Sequence, residues 1–331
     1  MTNILRVSAP VRLDFAGAWT DVAPFADEAR GVVVNAAIDL RSRVELEVDQ
    51  DRYRLRADDL DEDVDVATIG ELATDGKLQL LKAAIRRSQI APCSLRTSAD
   101  APPGSGLGTS GALSVALAFA MAKAQGRSRS ALEIAHDAWQ LETVDAAVPG
   151  GQQDQYAAAL GGFQYLAFDG GRTSARPLSI EPAFAQALAQ HIVICYTGRS
   201  RFSGDTITRV MNAYKVREAS VVDALHSLVD IAEEMASALE SSDLALTGRL
   251  LAKNWAAQQR LAPGMCPDEL AHLERAMFAA GAIGGKAAGA GAGGSMFFVV
   301  PGNVAAAIDA ARATGAVILP TRWTDRGVRD E

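Results

Sequence analysis

Three groups of residues in this 331-residue chain have types and spacings that could do chemistry on phosphates. The first is the run Pro102-Pro103-Gly104-Ser105-Gly106-Leu107-Gly108-Thr109-Ser110-Gly111. A strand-like segment, Cys93 to Ser98, precedes it, and an apolar segment, Leu113 to Ala124, follows with helical character. A glycine loop that opens into a helix N-terminus presents free N–H groups and the positive end of a helix dipole, which suits an anion. Thr109 and Ser110 add hydroxyls that could bond a phosphate or reach its metal. The second group is Asp154 in Gly150-Gly151-Gln152-Gln153-Asp154-Gln155, with Glu142 twelve positions earlier. Phosphoryl transfer needs a group that orients the acceptor hydroxyl and takes its proton, and a carboxylate in a glycine-framed turn fits that need. Glu142 ends a helix, the wrong end for an anion, and a bound Mg2+ would account for it there. The third group is the segment from Ala9 to Asp21, with Arg12, Trp19 and Asp21.

Bland readings stand beside these. A glycine-rich turn before a helix can be only a turn. Gly106, Gly108 and Gly111 match a dinucleotide fingerprint, but the strand and acidic residue it needs do not follow at the right spacing. No lysine follows Gly108, so the loop is not a Walker loop. Glu142 and Asp154 could be surface acids, Arg12 a strand-face ion pair, and Trp19 a core residue.

The elements that must position these groups read as follows. Ile4–Val7 and Val11–Phe15 alternate as two strands broken at Pro10. Val32–Ile38 reads as a buried strand and Val44–Val48 as a strand with one wet face. The acidic run Asp58–Asp65 reads as a solvated loop. Leu78–Ile85 is a helix. Ser130–Asp145 is another, with Ser130 and Glu133 at capping-box spacing. Strands at Phe163–Phe168 and Ile192–Tyr196 lead into a mostly helical stretch, 204–260, and then a helix over Asp268–Ala280. The glycine-rich run 284–294 reads as a turn before the strand Met296–Val300; Asn303–Thr314 is a helix and Ala316–Leu319 a closing strand, and the end, Asp325–Glu331, is expected to fray. Strands first, then helices, then helices with a few strands indicate an α+β fold.

An apolar fraction of 49% is ample for two cores. A net charge of −8 excludes generic nucleic-acid binding, so an anionic ligand must be held by local features. Three scattered cysteines and four histidines indicate neither a disulfide framework nor a zinc site. With no spanning segment and no signal-peptide layout, no membrane partner is expected and the location expected is cytoplasmic.

The run Pro103, Gly104, Ser105, Gly106, Leu107, Gly108, Thr109, Ser110 resembles the phosphate loop of the GHMP kinases, the superfamily of galactokinase, homoserine kinase and mevalonate kinase. Segment 9–21 resembles the family's first motif and 284–294 its third, so the resemblance covers nearly the whole chain. It implies a two-domain GHMP kinase fold, residues 1–180 and 181–331, with the active site in the cleft between domains. It implies ATP on the loop, Mg2+ held by Ser110 and Glu142, and Asp154 as the base with Arg12 beside it. Gly151, Gln152, Asp21 and Trp19 would meet the acceptor, Asp21 through sugar hydroxyls and Trp19 by stacking on a sugar face or narrowing the pocket. The segment Tyr196–Ser203, with Arg199 and Arg201, resembles a stretch shared by fucokinases and heptose 7-phosphate kinases, the sugar-1-kinase branch. The chain departs from the family at Asp14, at Ala18-Trp19, and at Gly111, where Ser or Ala is usual. The activity implied is transfer of phosphate from ATP to the anomeric hydroxyl of a sugar phosphate, with a fucokinase-like or cyclitol kinase as the alternative and a non-catalytic binding protein as the rival of another class. A homodimer is compatible with all of these.

Overall fold

A computed structural model describes residues 4–198 and 204–331. In chain order the elements are β1 (Ile4–Ala16), α1 (Phe25–Glu28), β2 (Gly31–Val48), β3 (Tyr53–Ala57), β4 (Glu62–Val66), α2 (Gln79–Ser88), β5 (Cys93–Ala99), α3 (Thr109–Ala124), α4 (Ala131–Gln140), α5 (Gln153–Leu160), β6 (Phe163–Asp169) and β7 (Arg172–Pro177). Then follow α6 (Pro182–His191), β8 (Ile192–Tyr196), α7 (Gly204–Lys215), α8 (Ala219–Glu240), α9 (Leu244–Gln259), α10 (Asp268–Ala279), β9 (Gly284–Ala287), β10 (Ser295–Val299), α11 (Val304–Ala313), β11 (Val317–Leu319) and β12 (Arg329–Asp330). The fold is α+β, as expected.

Two sheets organise the described residues. The first has eight strands along the path β12-β1-β2-β5-β3-β4, with β6 and β7 added on β2. The second has four, in the order β11-β8-β10-β9. Among the described residues every strand pairing is antiparallel except β3 with β5. The core runs between the sheets without a break: Phe15 on β1 meets Phe297 on β10 edge to face at 5.8 Å.

Several local expectations are corrected. Pro10 does not divide β1; the strand continues through it with a register shift between Pro10 and Val11. A bulge absorbs the missing N–H there. The two strands expected over 32–48 are one 18-residue strand, β2, because β1 pairs along nearly all of it while β6 and β5 share its other edge. The acidic run is partly strand: β4 pairs with β3, and Arg52, Arg54 and Arg56 meet Asp61, Asp63 and Asp65 across the hairpin. The end does not fray, since β12 pairs with β1 and Glu331 N donates to Arg6 O at 3.0 Å. The glycine run opens as a strand, β9. Among the described residues, no helix is long and apolar enough to cross a membrane.

Candidate active site

The glycine loop connects β5 to α3. Gly104, Gly106 and Gly108 take φ values of +67°, +78° and +81°, which L side chains adopt only at a cost. Gly108 is the N-cap of α3, and no side chain caps that end. The 16-residue helix therefore offers its first-turn N–H groups to a ligand. Thr109 Oγ1 and Ser105 Oγ are buried without a partner. Leu107 turns into the core at 0% exposure, and Pro103 is exposed outside the cavity that the other loop residues line.

Arg12 joins the pieces. It is 4% exposed. Its backbone N donates to Leu107 O at 2.9 Å, and its Nη1 donates to Gly106 O at 2.8 Å and Ala288 O at 2.9 Å. Its Nε and Nη2 reach Asp154 Oδ1 at 2.8 and 2.7 Å. One guanidinium thus ties the phosphate loop, the third motif and Asp154 together, a task for which its rigid fork of donors is suited.

Asp154 lies in the first turn of α5, and two features seat that turn. Asp21 Oδ2 accepts from Gln152 N at 2.9 Å and Gln153 N at 3.0 Å, capping the helix from outside. Gly151 makes the approach possible, because a Cβ there would stand 2.0 Å from Asp21 Oδ2. On the other side, Gly111 lets α3 come close: a Cβ there would stand 2.5 Å from Asp154 Cβ. Gly111 thus bears on how closely Asp154 packs against α3. Burial pushes the Asp21 carboxyl up to about 6, helped by the nearby charge of Asp154, and its Oδ1 has no partner.

Glu142 falls where α4 loosens into a π turn, Leu141–Asp145, so the helix expected over 130–145 changes type on reaching it. Such turns re-aim a side chain. The carboxylate is 7% exposed and accepts from Ser110 Oγ at 2.5 Å, Ser114 Oγ at 3.0 Å and Gln155 Nε2 at 2.7 Å. Burial holds its pKa above the usual range, and Asp154 adds to the rise. A buried acid beside a second acid, with a hydroxyl at a helix N-terminus, is a hard-oxygen donor set that fits Mg2+. Among the described residues no group of three or more His, Cys, Asp or Glu could hold a metal alone, so phosphate oxygens and water would have to complete the shell.

These residues face a cavity of about 440 Å3 lined by Arg12, Asp21, Glu142 and Asp154 together with Ile207, Gly289, Ala290, Gly291 and Gly293. Trp19 lines it too, 3% exposed, in a left-handed backbone conformation with φ +84°. Gln152 lines instead an adjoining cavity of about 300 Å3, and its Oε1 accepts from Thr173. The two cavities share Asp21, Val22, Pro149, Gly150 and Ile207. Arg199 and Arg201 lie outside the described residues. Sequence reasoning missed Ser114 and Gln155. Ser114 is one helical turn from Ser110, and that i,i+4 spacing was the available signal.

The family models for the GHMP kinases N terminal domain and GHMP kinases C terminal match residues 77–162 and 235–317. The chain belongs to the GHMP kinases, phosphotransferases that take phosphate from ATP. It is 31% identical over 334 residues to the D-glycero-alpha-D-manno-heptose 7-phosphate kinase of Campylobacter jejuni, covering 98% of both chains. A solved D-glycero-D-manno-heptose 1-phosphate kinase from Bacteroides thetaiotaomicron superposes with a TM-score of 0.80 at 26% identity, covering 99% of each. The bifunctional fucokinase/GDP-fucose pyrophosphorylase of Arabidopsis thaliana is 26% identical over 310 residues, 87% of this chain and 29% of that one.

Proposed function

We propose that the protein transfers phosphate from ATP to the anomeric hydroxyl of D-glycero-D-manno-heptose 7-phosphate. The observation that carries this reading is the Arg12–Asp154 pair, set against the phosphate loop beside the Ser110–Glu142 contact. The ATP phosphates rest on Gly104–Gly108 and the open N-terminus of α3. Ser110 and Glu142 would hold Mg2+, which would supply neutralisation of the phosphate charge. Asp154 accepts the proton as the acceptor's O–H bond gives way to an O–P bond and ADP leaves with the electron pair. Arg12 keeps Asp154 oriented, and offsets charge spreading over the transferring group. Asp21 meets sugar hydroxyls with its partnerless Oδ1, and Trp19 and Gly151 form the wall and floor beside it.

This reading carries with it a division into domains 1–180 and 181–331 around the cleft, and a cytoplasmic location where both substrates are found. The acceptor's own phosphate falls to Arg199 and Arg201, as guanidinium can grip a phosphate in a bidentate way. A second reading, an L-fucokinase-like enzyme, has an observation of its own. Among the described residues the cation lining the larger cavity is Arg12, already engaged with Asp154. The test is incubation with Mg-ATP and a panel of sugars and sugar phosphates, with the new phosphate located by 31P NMR. A phosphate on the anomeric carbon of the heptose 7-phosphate supports the reading. Phosphate on fucose alone selects the second, and no transfer to any sugar removes both.

A further inference from the structure

Two fully buried charges take no part in the reaction above. Lys286 on β9 and Asp14 on β1 are each 0% exposed and form an ion pair across the gap between the two sheets. Lys286 Nζ also donates to the Asp14 carbonyl at 2.8 Å and stands 5.8 Å from the Phe297 ring centroid. Asp14 Oδ1 has no partner. A buried pair of this kind is a weak source of stability, because desolvation of both ions offsets their attraction. Its position says more. Asp14 follows Arg12 by two residues on one strand, so both side chains leave the same face of β1. Lys286 precedes Ala288 by two, and the Ala288 carbonyl accepts from Arg12 Nη1 at 2.9 Å. Two rungs therefore join β1 to the β9 segment side by side, 14 to 286 and 12 to 288, although the strands belong to different sheets. Next in the chain, Gly289 passes so close to the phosphate loop that a Cβ there would stand 2.7 Å from Gly106 O.

We propose that the Lys286–Asp14 pair is a strut that positions Arg12, and through it Asp154, by holding β9 and the Ala288 carbonyl against β1. Neither residue lines the cavity, so both act through Arg12. The proposal rests on the reading of Arg12 as the group that orients Asp154. Without the strut the Ala288 carbonyl can withdraw, the guanidinium loses one of its fixed acceptors, and its alignment on Asp154 loosens.

The test uses the full chain with Mg-ATP and whichever sugar it phosphorylates, and compares Lys286→Met, Asp14→Leu/Lys286→Met, Arg12→Met and the triple variant. Lys286→Met alone leaves a buried carboxylate unpaired and lowers Tm. The double variant replaces the pair by apolar groups and regains Tm. Its kcat nevertheless stays roughly 10–100-fold low, the scale of a small misplacement at a reacting centre, while KM for ATP hardly moves. In the Arg12→Met background the double change adds no further loss, because the strut has nothing left to position. Recovery of kcat together with Tm would show a merely structural pair and overturn the proposal. So would losses that multiply in the Arg12→Met background. Wild-type turnover by Arg12→Met alone would remove the reading of Arg12 itself and the strut with it, and is told apart from failure of the strut alone. If the apolar pair gives no cooperative melt, Asp14→Asn/Lys286→Gln takes its place with the same readouts.

Discussion

Gly111→Ala should slow the enzyme without unfolding it. In an ordinary helix the change is favourable, since alanine is better than glycine there by about 1 kcal/mol. Here the new Cβ would stand 2.5 Å from Asp154 Cβ and 3.3 Å from the Asp154 carbonyl carbon. Ordinary contact begins near 3.4 Å, so α3 and the first turn of α5 must part by 3.4 − 2.5, about 0.9 Å. Asp154 rides on that turn and is held by Arg12, which is in turn fixed to the loop. The shift therefore falls on the proposed proton acceptor while the loop keeps its shape. A displacement of that size can lower turnover by up to ~10²-fold. Steady-state ADP release should give a kcat roughly 10–100-fold down and a KM for ATP within about twofold of wild type. The helix gain and the strain oppose each other, so the melting temperature should change little. Wild-type kcat in a folded Gly111→Ala protein would refute the packing argument for Asp154.

Asp154→Asn keeps the shape and removes the proposed proton acceptor, so kcat should fall by roughly 10²–10⁴-fold with ATP binding intact in a fluorescence titration. Glu142→Gln exchanges an anionic oxygen ligand for a neutral one; the Mg2+ concentration for half-maximal rate should rise, and an unchanged titration would take Glu142 out of the metal site. Asp21 titrates near 6 in the folded chain against 3.8 in the unfolded one. Between those values the folded state binds the extra proton, so stability falls as pH rises from about 4 to about 6 and the loss is complete above 6. Asp21→Asn retains an acceptor for Gln152 N and Gln153 N and should be more stable than wild type at pH 7.5, by on the order of 2–3 kcal/mol and so with a higher Tm, with the advantage disappearing towards pH 4. A pH-independent gap in Tm would show that Asp21 is not the group responsible.

Much of this site was legible in the sequence because its signals are local. Positive-φ glycines, a capping box and alternation in the strands depend on neighbours within a few residues, and Gly104–Gly108, Ser130–Glu133 and the strand at Cys93–Ser98 were read on that basis. What escaped depends on partners far along the chain. Asp14 departs from the motif in sequence, and its partner Lys286 lies 272 residues away. Asp21 read as a sugar ligand, and nothing nearby indicated that one of its oxygens caps α5. Gly111 read as a loop variation because the element it faces, the first turn of α5, is about forty residues further on. Asp325–Glu331 looked free because a two-residue strand carries too little pattern to announce its pairing with β1.

The most direct test of the account is a comparison of kcat/KM for D-glycero-D-manno-heptose 7-phosphate, for the same heptose without its phosphate, and for L-fucose, each at saturating Mg-ATP. The account predicts that the heptose 7-phosphate is preferred by at least tenfold, about 1.4 kcal/mol, the low end of what a charged hydrogen bond to its phosphate contributes. Equal specificity constants for the two heptoses, or a preference for fucose, would contradict it.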